Sequence, residues 1–107
     1  MITIDEFRKV DMRIGTVLSA EEVPGSRNLL KLKVDLGELG IKQAVSGIKD
    51  QYKPEDLVGK QFAFVVNLRP IKLMGELSEI MILAAVEGKE VSLVAPVRPI
   101  KNGARVE

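Results

Sequence analysis

"IKDQYKPEDLVGK", Ile48 to Lys60, is the stretch that decides the fold. It begins with a helical pattern, is interrupted at Lys53-Pro54, and ends in a short helical turn stopped by Gly59. On its N-terminal side, "LLKLKVDLG" is the cleanest alternation in the chain. Leu30, Leu32 and Val34 point one way; Lys31, Lys33 and Asp35 point the other. Gly37-Glu38-Leu39-Gly40 then reads as a hairpin connection into a strand across Ile41–Val45, which Ser46-Gly47 ends. On the C-terminal side, "QFAFVVNL" and "EIMILAAVEG" are dense in β-formers, and "KEVSLVAPV" alternates again.

Toward the N-terminus, "TIDEFRK" predicts a short helix with Thr3 as its cap and Glu6 at the capping-box position. "DMRIGTVLSAEEV" follows as a strand, with Gly15 marking a strong bend or a bulge. Five or six short strands, one helical insert and no long crossover helix predict an all-β chain and a small barrel, not a βαβ sheet. Because the insert, Ile48 to Val58, lies between the third and fourth strands, an OB-fold five-stranded β-barrel fits best.

A chain of 107 residues with 46% hydrophobic content suits one compact domain over residues 1–107. No apolar run approaches the ~20 residues of a membrane-spanning helix. "MITIDEFRKVDMR" has no apolar signal-peptide core, and the absence of cysteine fits a cytoplasmic compartment. Without His or Cys there is no His/Cys zinc site and no Ser-His or Cys-His nucleophile pair. Nor is there an EF-hand, a GxGxxG or a Walker loop. No catalytic residue, metal or cofactor is expected, and a binding module is.

The net charge of +1 conceals an uneven distribution. Arg27, Lys31 and Lys33 lie in an acid-free window between Glu22 and Asp35; Lys60, Arg69 and Lys72 lie in another between Asp56 and Glu76. A third, between Glu90 and Glu107, carries Arg98, Lys101 and Arg105. These charges are either a solvated surface or a face for a polyanion. An OB barrel binds across the exterior of its second and third strands and the loops beside them. Lys31, Lys33 and Lys42 would then lie on or beside that face, rimmed by Arg27, Asn28, Arg69 and Lys72, as phosphate contacts.

Only Phe7, Tyr52, Phe62 and Phe64 are aromatic, and the Phe62/Phe64 pair reads as core. A general single-strand binder needs stacking platforms, so this scarcity favours a folded RNA read by shape and phosphate. Ser78 reads as a turn residue and Met81 as core filling, while Met74, beside Gly75, is open between core and surface.

"VDMRIGTVLSAEEV", "LLKLKVDLGE", "VSGI", "YKPEDLVGK", "VVNLRPIKLMG" and "SEIMILAA" together resemble a known family. It is the tRNA-binding OB-fold domain found at the C-terminus of methionyl-tRNA synthetases and in free-standing structure-specific tRNA-binding proteins. The resemblance runs from about Ile4 to Val106. It implies an OB barrel with a C-terminal extension, here about residues 91–107, through which two subunits form a homodimer that binds tRNA by tertiary shape. The catalytic part of the synthetase is a further partner if the domain is an appended one. Carried over residue by residue, the family's binding positions fall on Asn28, Ser78 and Met81, with Lys31, Lys33, Arg69 and Lys72 as electrostatic neighbours. Asn28 departs from the pattern, since relatives more often carry Lys there, and Arg27 supplies the charge one position earlier. "GIKQ", Arg27 and "SEIMIL" also resemble the CsaA-type export chaperones, which share the fold and the dimer. Those read S-A-Q-I where this chain has Val45-Ser46-Gly47-Ile48, and they lack the KLMG step.

Overall fold

The computed structural model describes residues 1–107. Thr3 opens the short helix α1 (Ile4–Phe7) through the expected capping box. Its hydroxyl accepts the Glu6 N–H, and the Glu6 carboxylate accepts the Thr3 N–H, each at 3.2 Å. The strands β1 (Met12–Glu22), β2 (Leu30–Asp35), β3 (Ile41–Ser46) and β4 (Gln61–Val65) follow. Five shorter ones complete the chain: β5 (Ile71–Leu73), β6 (Glu76–Ser78), β7 (Met81–Ile82), β8 (Ala84–Glu87) and β9 (Glu90–Leu93). No helix is long and apolar enough to cross a membrane.

The main sheet is antiparallel in the order β3-β2-β1-β4-β7. β1 serves two neighbours: Met12–Thr16 pairs with β4, and Thr16–Glu22 pairs with β2. A strand used this way must coil sharply, and Gly15 sits at the changeover. A Cβ there would lie 2.6 Å from Val34 Cγ1 and 2.8 Å from Leu36 Cδ2, so only glycine admits the approach. The bulge itself is at Leu18, where the register slips between Val17 and Ser19. Curling brings the outer strands together. Glu79 and Ile80 both donate their N–H to the Gln43 carbonyl, at 2.8 and 3.3 Å, and a parallel bridge joins Ala44 to Ile80. That closure makes the five-stranded barrel an OB fold.

Leu30, Leu32 and Val34 are fully buried, as the alternation requires, and share one core with Val17, Phe62 and Phe64. Each such side chain contributes about 1.5–3 kcal/mol of hydrophobic stabilisation. The insert stands where the sequence puts it but is less helical. Ile48 O accepts from Gln51 and Tyr52 in a single turn, and a 3-10 turn follows at Pro54–Asp56. Pro54 cannot continue an i→i−4 ladder, so the segment stays short. Its function in the fold is to deliver Ile48 and Leu57 to the core.

"EIMILAAVEG" is two strands, not one. At Leu83 the chain leaves the barrel: the Leu83 N–H donates to Ala63 O at 2.9 Å, while its carbonyl accepts Val94 N–H at 3.0 Å. β8 then pairs with β9, and the extension returns across its own barrel. The Gln61 amide grips the Ile100 backbone at both ends, at 2.6 and 3.1 Å. Residues 103–106 cover the free edge of β1, with Gly103 donating to Ile14 O at 2.7 Å and Val106 to Met12 O at 2.8 Å.

Candidate nucleic-acid interface

Two connections flank the outer face of β2 and β3: the β1–β2 loop, residues 23–29, and the β4–β7 connection, residues 66–80. The second holds the β5–β6 hairpin, which the sequence did not announce. Its tip is Met74-Gly75, with φ of +52° and +80°, the signature of a type I′ turn. Asn-Gly is the usual pair there. Methionine in the left-handed region costs about 1 kcal/mol.

The hairpin leans on the sheet. The Glu76 carboxylate accepts from Lys31 Nζ at 3.3 Å and from Gln43 Nε2 at 3.4 Å, and Gln43 Nε2 also donates to Leu77 O at 2.8 Å. Met74 Cε rests 3.5 Å from where a side chain on Gly25 would begin, so the two flanking loops touch at the tip. Lys72 and Leu77 face each other across the hairpin, both exposed.

Arg27, Lys33, Arg69 and Lys72 are exposed and form no ion pair, as the polyanion reading requires. Lys31 departs from it: only 23% of its side chain is exposed, and Glu76 at 3.3 Å and Glu21 at 4.0 Å already neutralise it. Lys42 also departs. It is opposite Val34 in the register, so it shares the inward face at a strand end while Lys33 faces out beside Gln43. Ser78 is buried, 8% exposed. Its hydroxyl accepts Val45 N–H at 3.0 Å and donates to Ile80 O at 2.9 Å, making it a strut of barrel closure, not a surface group. Met81 is 46% exposed, against the core reading and in keeping with a contact position. Asn28 is exposed, and its amide lies 3.3 Å from where a Gly47 side chain would begin, so the glycine of "VSGI" makes room for it.

The perturbed titrations lie elsewhere, at the extension. The Arg13 guanidinium bonds Asp11 at 2.6 and 3.2 Å and holds its carboxyl below the usual range, outweighing the opposing effect of burial; Arg105 adds to the lowering. Arg13 is raised in return, and its Nη1 donates to Gly103 O at 3.0 Å.

A closed OB barrel whose flanking loops carry unpaired cations belongs to the class of small oligonucleotide-binding modules. Residues 12–105 match the family described as "Putative tRNA binding domain", and the chain belongs to that family. It is 52% identical to the methionine–tRNA ligase of Methanocaldococcus jannaschii over 106 residues, covering 98% of this chain but only 16% of the ligase. Among solved structures it is similar to a protein described as MetRS-related from Pyrococcus horikoshii, with a TM-score of 0.94, 40% identity and coverage of 100% and 98% of the two chains. It is also similar to the chaperone CsaA of Bacillus anthracis, with a TM-score of 0.91, 40% identity and coverage of 100% and 99%.

Proposed function

We propose that this chain is a non-catalytic tRNA-holding domain, the C-terminal domain of a methionyl-tRNA synthetase, which raises the enzyme's affinity for tRNA and forms a homodimer. One observation carries the reading: Arg27, Lys33, Arg69 and Lys72 stand exposed and unpaired beside the outer face of a barrel in the tRNA-binding family. Each can neutralise one backbone phosphate. Such a module adds uniform binding energy and effective concentration, lowering the apparent KM for tRNA more than it raises kcat. On this reading it works in the cytoplasm with the rest of translation. Exposed Val94, Val97 and Ile100 on the extension support the homodimer.

The test is a titration with unfractionated tRNA from low to moderate salt. About four phosphate contacts give a slope of log K against log salt near −3. Absent or salt-insensitive binding ends the proposal. Sedimentation of the wild type and of Val97→Asp checks the dimer, the variant being expected as monomer.

The full-length likeness to a CsaA chaperone supports a second reading, in which the same loops hold unfolded precursor peptides. It gains if a reduced, unfolded polypeptide binds and tRNA fails to displace it.

A further inference from the structure

The backbone at the strained residue Met74 gives no reason for a methionine. A left-handed position at the first site of a type I′ turn accepts Asn or Gly without penalty, and Met74 is 59% exposed. A side chain held against its own backbone preference at an exposed loop tip points to a task outside the fold.

What that task is follows from the neighbours. On the outward side of the hairpin Leu77, 41% exposed, stands beside Lys72, and the loop that Met74 touches at Gly25 carries Arg27. Neither cation is paired. The nearest acid of the hairpin, Glu76, is engaged with Lys31 and Gln43. The tip is therefore apolar and bordered by free positive charge, the complement of a ligand with flat apolar faces on an anionic backbone. The aromatic residues are placed elsewhere, Phe7 being half-buried on α1 beside Val10 and Val106. Phe62 and Phe64 are buried, and the Tyr52 hydroxyl is tied to Leu93 N at 3.0 Å.

We propose that Met74, backed by Leu77, is an apolar seat for one unstacked base of a bound RNA, with Arg27 and Lys72 on the adjoining phosphates. This rests on the tRNA-binding reading and adds to it a base contact that phosphate neutralisation does not supply. The thioether packs against a base face by dispersion, without reading its edge, so the contact tolerates any base. Bridging to the β1–β2 loop keeps the side chain where the two loops converge.

The experiment compares the wild type, Met74→Asn, Met74→Ala and Lys72→Ala in titrations with unfractionated tRNA at several salt concentrations. Thermal denaturation of each variant is recorded alongside. Met74→Asn is expected to raise Tm by roughly 3–6 °C as the strain is relieved, which separates it from a folding defect. The same variant, and Met74→Ala, should weaken tRNA binding about fivefold at every salt concentration with the slope unchanged, since no phosphate contact is lost. Lys72→Ala should make the slope shallower by about one. Met74→Asn with wild-type affinity, or with an altered slope, overturns the proposal. So does loss of unfolded-peptide binding alone in that variant. Failure of the wild type to bind tRNA at low salt overturns the underlying reading instead.

Discussion

Lys31 and Glu76 meet at 3.3 Å across the seam between the barrel and the β5–β6 hairpin, and this pair decides which lysine is free for a ligand. Both side chains are less than a third exposed. Lys31 therefore fixes the hairpin on the sheet, and the charge offered to solvent comes from Lys33 and Lys72.

Glu76→Gln tests that division of labour. The amide keeps a partner for Gln43 and leaves Lys31 only the more distant Glu21, at 4.0 Å, as a counter-charge, so tRNA affinity should rise and the salt slope should steepen, by at most about one. An unchanged slope would show that Lys31 cannot reach a phosphate from its place under the hairpin.

Ser78→Ala addresses barrel closure. It leaves the Val45 N–H and the Ile80 carbonyl without their buried partner. The expected loss is about 1–3 kcal/mol in urea denaturation, with tRNA affinity of the folded fraction unaltered. A fully stable variant with weakened RNA binding would return Ser78 to the role of a contact residue.

Gly15→Ala places a methyl against Val34 and Leu36 and 3.0 Å from the Asp35 carbonyl. Side-chain rotation does not relieve a backbone contact, so β1 must shift. A destabilisation of about 1–3 kcal/mol by denaturant midpoint is expected, and a neutral result would mean the changeover in β1 is more pliant than its contacts imply.

Asp11 gives the fold an acid limb. Its carboxyl is lowered in the native state, first by the hydrogen bond from Arg13. The unfolded chain therefore binds the proton more readily, so the stabilisation is present above the ordinary carboxylate range and lost as pH falls through the lowered native value. Asp11→Asn should cost a few degrees of Tm at pH 7 and converge with the wild type as pH falls below the ordinary carboxylate range. Parallel curves across that range would remove the Asp11–Arg13 pair as the source.

Much of the fold was legible because its signals are local. The alternation of Leu30, Leu32 and Val34, the Thr3–Glu6 capping box and the Pro54 break are each contained within a few residues. "EIMILAAVEG" misled because dense β-formers do not reveal that Leu83 hands the chain from one sheet to another. The hairpin at residues 71–78 was missed because Met-Gly lacks the Asn-Gly signal of a type I′ turn. Arg27, Lys33, Arg69 and Lys72 were expected at the site together with Lys31 and Lys42, and nothing local distinguished the free cations from the paired and the inward-facing one.

The sequence by itself determined the barrel, the family and the acid-free windows that supply the cations, because side-chain period, turn chemistry and charge spacing are written over a few neighbouring residues. Tertiary structure alone decided which positions belong to that surface. Glu76 is 45 residues from the lysine it neutralises, Ser78 reaches Val45 only when the barrel closes, and Lys42 turns inward by its register with β2. Charge pairing and burial depend on who arrives from elsewhere in the chain, and no local pattern records the arrival.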